Sequence, residues 1–126
     1  MAAILLAHGH LLRFDRKQHA IGKPYPPLAT ITAAAYLRAR GHEVALYDPM
    51  LDDDTSGFAA ALARARPDAV VIYDDVFNWF TKMCLGRMRE AALAMVREAR
   101  ARGAWVVVSG HDAADAPEVY LGAGAD

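Results

Sequence analysis

With a single cysteine, Cys84, this chain of 126 residues cannot close an internal disulfide, build a thiolate zinc cage or hold an iron–sulfur cluster by itself. Charge of one sign is also lacking. Lys plus Arg number 14 against 15 Asp plus Glu, so no net field exists to hold nucleic acid or an anionic membrane. The N-terminus carries neither a basic segment nor a cleavage signal, and no apolar run is long enough to span a bilayer. Met1 leads straight into "AAILLA", so neither export nor membrane insertion is indicated and a cytoplasmic location is expected. Linkers and low-complexity segments are missing too. What is abundant is apolar side chain, 55% of residues, enough for one domain that buries roughly two thirds of its unfolded surface.

The apolar residues alternate between two patterns. Ala3 to Ala7 form a short continuous run, as expected of a strand buried on both faces. "LATITAAAYLRAR" follows Pro26 and Pro27, sets Leu28, Ile31 and Ala35 at helical spacing, and ends at Gly41. "EVALYD" then reads as a strand, "SGFAAALARAR" as a helix with Ser56 as its N-cap, and "AVVIY" as a third strand. From Lys82 to Arg102, the residues Cys84, Met88, Ala91, Ala92, Met95 and Ala99 share one helical face, and "AWVVVS" supplies a fourth strand.

Three helix exits share a wording: "RARG" at Arg38 to Gly41, "RARP" at Arg64 to Pro67, and "RARG" at Arg100 to Gly103. Arginine in a last turn complements the helix dipole, glycine supplies a left-handed residue, and proline forbids continuation. A strand follows each exit. The expected fold class is therefore α/β: a doubly wound, flavodoxin-like or Rossmann-like parallel sheet with helices on both faces. "APEVYLGAGAD" reads as a short helix with Pro117 in its first turn and Gly122 just past its last, after which a further strand is expected. Residues 1–126 are accordingly expected to be one domain at the N-terminal end of a longer protein, cut before a fifth strand.

In such a sheet, ligands bind beyond the carboxyl ends of the strands, where strand order reverses. The turns after strands one, three and four are "HGHLLRFDRKQHAIGKPYPP", "DDVFNWFTK" and "SGHDAADA". The first spans about twenty residues against the two to six usual for a βα turn, which points to function. Its bland reading is a long polar surface loop. Phe77, Trp79 and Phe80 in the second could line a pocket for a flat ligand or simply pack under the third helix. Gly110 permits close approach of a ligand or serves as an ordinary turn residue. His42 and Asp48 read as solvated positions, and His19 has no special role.

Together these turns resemble the N-terminal cobalamin-binding domain of cobalamin-dependent radical S-adenosylmethionine enzymes. The likeness rests on "KPYPPLATITAAAYLRARGHEVALYD", on "FNWFTKMCLGRMREAA" after strand three, and on "SGHDAADAPEVYLGAGAD" at the end, nearly the whole chain. It implies a corrin across the carboxyl edge of the sheet, with its nucleotide tail in a crevice beside strands one, three and four. Ser109 and Gly110, with His111, would line the tail's slot. Asp74, Asp75, Val76, Phe77 and Asn78 would meet the corrin amides, and Tyr25, Pro26, Pro27 and Leu28 would shape the opposite wall. His8, Gly9 and His10 would lie near the cofactor. The family's D-x-H-x-x-G pattern, in which histidine binds cobalt, fails at two of three places here: His8 stands for the aspartate and Arg13 for the glycine. His10 as cobalt ligand is thus the lesser reading, and no metal ligand or catalytic residue is assigned to this segment. The resemblance implies a methyltransferase as the intact enzyme, with a downstream barrel that holds S-adenosylmethionine and a 4Fe–4S cluster. Expected partners are cobalamin and that barrel, with no nucleic acid and no membrane.

Other readings compete. A response-regulator receiver would use Asp74 or Asp75 with Ser109, but Ala7 and His8 stand where its magnesium site needs acids. "GAGAD" follows a helix, whereas a dinucleotide fingerprint belongs after the first strand. A flavodoxin-type flavin site lacks its hydroxyl-rich loop, and zinc on the three early histidines lacks a fourth ligand. The remaining class is a non-catalytic interaction module.

Overall fold

In the computed structural model, residues 1–73 and 85–126 are described; "DDVFNWFTKMC" at 74–84 lies outside them. Four strands, β1 (Ala3–Ala7), β2 (Glu43–Tyr47), β3 (Ala69–Tyr73) and β4 (Trp105–Ser109), form one parallel sheet in the order β2-β1-β3-β4. The register runs Ala3 beside Glu43, Ile4 beside Ala69 and Ala69 beside Trp105. The helices are α1 (Arg16–Ile21), α2 (Leu28–Ala39), α3 (Gly57–Ala65), α4 (Leu85–Ala101), α5 (His111–Asp115) and α6 (Pro117–Ala123). This is the doubly wound, flavodoxin-like α/β arrangement.

Right-handed crossovers decide which helix covers which face. The step from β1 to β2 runs one way along the sheet, and the steps to β3 and β4 run the other. Helix α2 therefore lies on one face and α3 and α4 on the opposite one. Side-chain alternation sorts the strands to match. Leu5, Ala7, Tyr47, Val70, Ile72 and Val106 point into a large core with Phe58, Leu62, Met95, Val96 and Tyr120. Ile4, Leu6 and Val44 meet Ala34 in a much smaller core under α2.

Several junctions differ from the expectations. Helix α2 buries Thr30 and Ala34, while Leu28 is 72% exposed and Ile31 and Ala35 face outward. Small residues let the helix lie close to the sheet, and the longer apolar ones flank the contact. Ser56 occupies the N-cap position of α3 but makes no capping bond; instead its backbone N–H donates to Asp54 at 2.8 Å. Gly122 lies inside α6, and Gly124, with φ of 112°, ends it. At the "RARP" exit Arg66 itself takes the left-handed conformation, because Pro67 follows and no glycine is present. The buried face of α4 holds Met88, Ala91, Ala92, Met95 and Ala99 as the spacing predicts; Cys84 lies outside the described residues. No helix among the described residues is long and apolar enough to cross a membrane.

The two cores differ enough in depth to be told apart by mutation. Phe58 is fully buried, with its ring 5.4 Å from that of Tyr47. Phe58→Ala is expected to cost about 3–5 kcal/mol in urea unfolding. Leu28→Ala, on the exposed flank of α2, is expected to stay within about 0.5 kcal/mol of the parent.

Candidate functional site

The carboxyl ends of the strands gather the site. Beyond β1 the chain does not run as a bare polar loop. It makes a 3-10 turn at Leu12–Phe14 and then α1, whose N-cap Asp15 accepts from the backbone N–H of Gln18 at 3.0 Å and whose end is the left-handed Gly22. Leu11 and Leu12 are buried, and the Leu12 N–H donates to the Met50 carbonyl at 3.0 Å, tying the loop after β1 to the loop after β2.

A histidine–carboxylate pair strengthens the same tie. His8 is 1% exposed; its Nε2–H donates to Asp48 Oδ1 at 2.7 Å, and its Nδ1 accepts the backbone N–H of His10 at 3.1 Å. A backbone N–H can only donate, so the imidazole is held as the Nε2–H tautomer with both nitrogens engaged. His8 is thereby removed as a metal ligand. Burial pushes the Asp48 carboxyl up, but the bonds from His8 and from the Met50 N–H outweigh it, and the net displacement is downward. Asp48 is exposed, as expected of a solvated loop residue, and is in addition the partner of His8. Parallel pairing explains the contact, because Ala7 lies beside Tyr47 and the next residues, His8 and Asp48, leave the sheet together.

Gly9 is packed against α4: a β-carbon there would stand 3.1 Å from the Met88 carbonyl oxygen and 3.4 Å from Ala92 Cβ. Its glycine serves helix packing. His10 is also 1% exposed, with its ring 5.6 Å from that of Tyr25 and tilted by 32°. His42, expected to be solvated, accepts the Ala2 N–H through Nδ1 at 3.3 Å.

The turn after β4 is braced from beneath. Gly110 has φ of 149°, outside the range comfortable for other residues, and directs the chain into α5. There Asp112 is buried and accepts from Arg89 Nε at 2.8 Å and Nη2 at 2.5 Å, and from the Tyr120 hydroxyl at 2.5 Å. These bonds hold its carboxyl below the usual range, Arg89 being the largest influence, and push the Arg89 guanidinium up. Ser109, before the turn, and His111, after it, are exposed.

Between α2 and the lightly covered face of the sheet runs an open groove of about 960 Å³. Its floor is Leu6, Val71, Tyr73 and Ser109 from β1, β3 and β4; one wall is Leu28, Ala29, Thr32, Ala33, Tyr36 and Leu37 of α2, and Tyr25 and Pro26 close its carboxyl end. Arg40 stacks on the Tyr36 ring at 3.3 Å, steadying the rim. Four of the residues singled out from sequence, Tyr25, Pro26, Leu28 and Ser109, line this groove. Pro27 is buried at the N-cap of α2; His8, Gly9 and His10 lie buried at the end of β1, and Gly110 and His111 follow Ser109 along the turn. Asp74, Asp75, Val76, Phe77 and Asn78 lie outside the described residues. Leu6, Val71, Tyr73 and the α2 wall beyond Leu28 were missed, although strand alternation places 71, 73, 105, 107 and 109 on one face. Among the described residues no group of three or more His, Cys, Asp or Glu side chains could hold a metal ion.

No family model matches the chain. No curated protein matches it either. Among solved structures it is similar to one described as "Crystal Structure of TesA", at 20% identity over 94% of this chain and 67% of that one, with a TM-score of 0.45. A likeness of that degree carries no functional argument.

The brace under the turn sets a pH dependence. A carboxyl depressed in the folded state contributes stability that is fully present above its unfolded value and is lost as pH falls through its folded value. Asp112→Asn is expected to lower stability by about 1–3 kcal/mol at neutral pH. It should also flatten the loss of stability below roughly pH 4, the ordinary aspartate range. Urea unfolding of parent and variant at several pH values measures both effects.

Proposed function

We propose that this chain is the cobalamin-binding domain of a cobalamin-dependent radical S-adenosylmethionine enzyme, with methyl transfer as the reaction of the intact protein. The sequence resemblance suggests the family. The observation that carries the reading is the groove: an apolar slot between α2 and the face of β1, β3 and β4 that reaches the carboxyl edge at Tyr25, Pro26 and Ser109, within the roughly 300–1,000 Å³ common for small-molecule sites. The base at the end of a nucleotide tail is flat and apolar on its faces, and the Leu6, Val71 and Tyr73 floor would suit it. Tyr25 and Pro26 would flank the tail where it enters, and the small side chain of Ser109 would leave room for it.

The chemistry such a cofactor supplies when bound is methyl carriage; this chain's residues would seat it and shield it. His8 has no ring nitrogen to spare for cobalt, which agrees with a cofactor held without a ligand from that residue. No catalytic residue is assigned within residues 1–126. S-adenosylmethionine and the 4Fe–4S cluster would belong to a downstream barrel, the expected partner, and a cytoplasmic setting is part of the same reading.

Incubation with hydroxocobalamin, desalting and a visible spectrum provide the test. The parent chain is expected to retain corrin colour, and Ser109→Trp, which fills the slot from an exposed position, to lose affinity by a factor of ten or more, on the order of 1.4 kcal/mol. Absence of colour in the parent would remove the proposal, and equal retention by the variant would remove the groove from it. Labelling of Asp74 or Asp75 by acetyl phosphate would favour a receiver instead.

A further inference from the structure

The three arginine-rich helix exits share a wording but not a fate. At the first, Arg38 donates to the Val44 carbonyl at 2.6 Å and Arg40 stacks on the Tyr36 ring at 3.3 Å. At the third, Arg100 donates to both Asp126 carboxylate oxygens at 3.0 Å, and Arg102 donates to Glu98 at 3.3 Å. Those four arginines serve the chain's own structure. At the second exit, Arg64 and Arg66 have no hydrogen-bond, ion-pair or ring partner among the described residues.

Arg66 is also held at a cost. Among the described residues it alone, glycine apart, has a positive φ, of 40°. That conformation crowds any β-carbon. The other two exits make their left-handed turn with glycine, Gly41 at 84° and Gly103 at 82°. Glycine at 66 would relieve the crowding, and no bond within the chain compensates for the arginine.

What Arg66 does is line a cavity. Between the ends of α3 and α4 lies an open cavity of about 510 Å³, bounded by Leu62, Ala63, Arg66, Pro67, Arg102 and Ala104. Leu62 and Ala104 are 2% and 3% exposed and belong to the large core, so its floor is apolar. Pro67 and Ala104 precede β3 and β4, which places the cavity at the amino end of the sheet on the α3 and α4 face, away from the groove beside α2.

The charges select the ligand. Two guanidiniums on separate elements above an apolar floor suit an anionic head joined to an apolar body. Both helices end here, so they present carbonyl oxygens with partial negative charge, where a phosphate-binding helix start presents N–H groups. A singly charged carboxylate is therefore favoured over a phosphate dianion. Glu98 holds Arg102 only through an exposed pair one helical turn apart, a weak contact that a ligand carboxylate can share.

We infer that the cavity between the ends of α3 and α4 is a ligand site distinct from the groove and takes an aliphatic carboxylate. Arg66 and Arg102 hold the head group, and Leu62, Ala63, Pro67 and Ala104 receive the hydrocarbon. The inference rests on this cavity alone and is independent of any cofactor.

The test is titration of residues 1–126 with sodium acetate, butyrate, hexanoate and octanoate, followed by amide NMR. Octanoate is expected to bind saturably and shift the amides of Leu62, Ala63, Arg66, Arg102 and Ala104, with affinity rising about two- to fourfold per added methylene. Arg102→Gln and Arg66→Gly are each expected to weaken octanoate binding about tenfold. Arg66→Gly should do so while unfolding at an equal or higher urea concentration than the parent, because glycine relaxes the left-handed turn. A clear loss of stability in Arg66→Gly would make Arg66 a structural residue and overturn the inference. So would inorganic phosphate or octanol binding as tightly as octanoate, or shifts confined to Leu6, Val71 and Tyr73 in the groove. Corrin retention is read separately, so failure of either proposal leaves the other standing.

Discussion

A parallel sheet has to be covered on both faces, because the helical crossovers that make it parallel also make its strands apolar on both sides. The handedness of those crossovers then decides how the cover is shared. With β1 in the interior and the chain stepping first to β2 and then back toward β3 and β4, one face receives α3 and α4 and the other, among the described residues, receives α2. The asymmetry is a consequence of strand order. From it follow the deep core around Phe58, the shallow one around Ala34, and an apolar strip of Val71, Tyr73, Trp105 and Val107 with little protein over it.

The groove follows from the same asymmetry. Helix α2 lies close to β1 and β2 through Thr30, Ala33 and Ala34, none of them bulky, and its longer side chains project beside the contact. The slot is therefore bounded by backbone-supported surfaces on two sides, and Tyr25 and Pro26 fix only its carboxyl end. The first loop, by contrast, is anchored away from this face. Gly9 leans on α4, His8 is bonded to Asp48, and Leu12 is bonded to Met50. An anchored loop with both His8 ring nitrogens committed to protein partners can shape a cavity without that residue binding what enters it.

Much of the fold was legible because its signals are local. Five-residue apolar runs, alanine-rich helices and the repeated arginine exits each report on their own stretch of chain, and the four strands fall where those signals put them. The errors share a different cause. Leu28, Ile31 and Ala35 form a plausible apolar stripe, yet which stripe of an alanine-rich helix is buried depends on how near the sheet lies, a tertiary quantity. Gly122 and Gly124 both look like helix stops, and only the packing of Gly124 against Arg100 and the pairing of Asp126 with β4 choose between them. For the site, Tyr25, Pro26 and Ser109 were accessible from loop position, while the His8–Asp48 pair required the pairing of β1 with β2 to be known first. Read as separate loops, the two residues share nothing; read in register, they are neighbours.

The slot between α2 and the sheet is bounded at its carboxyl end by Tyr25 and Pro26. An occupant of the groove would have to match an apolar floor of Leu6, Val71 and Tyr73 and pass Tyr25 and Ser109 at the rim. On the function proposed above, a flat ring system on a flexible tether would meet both conditions.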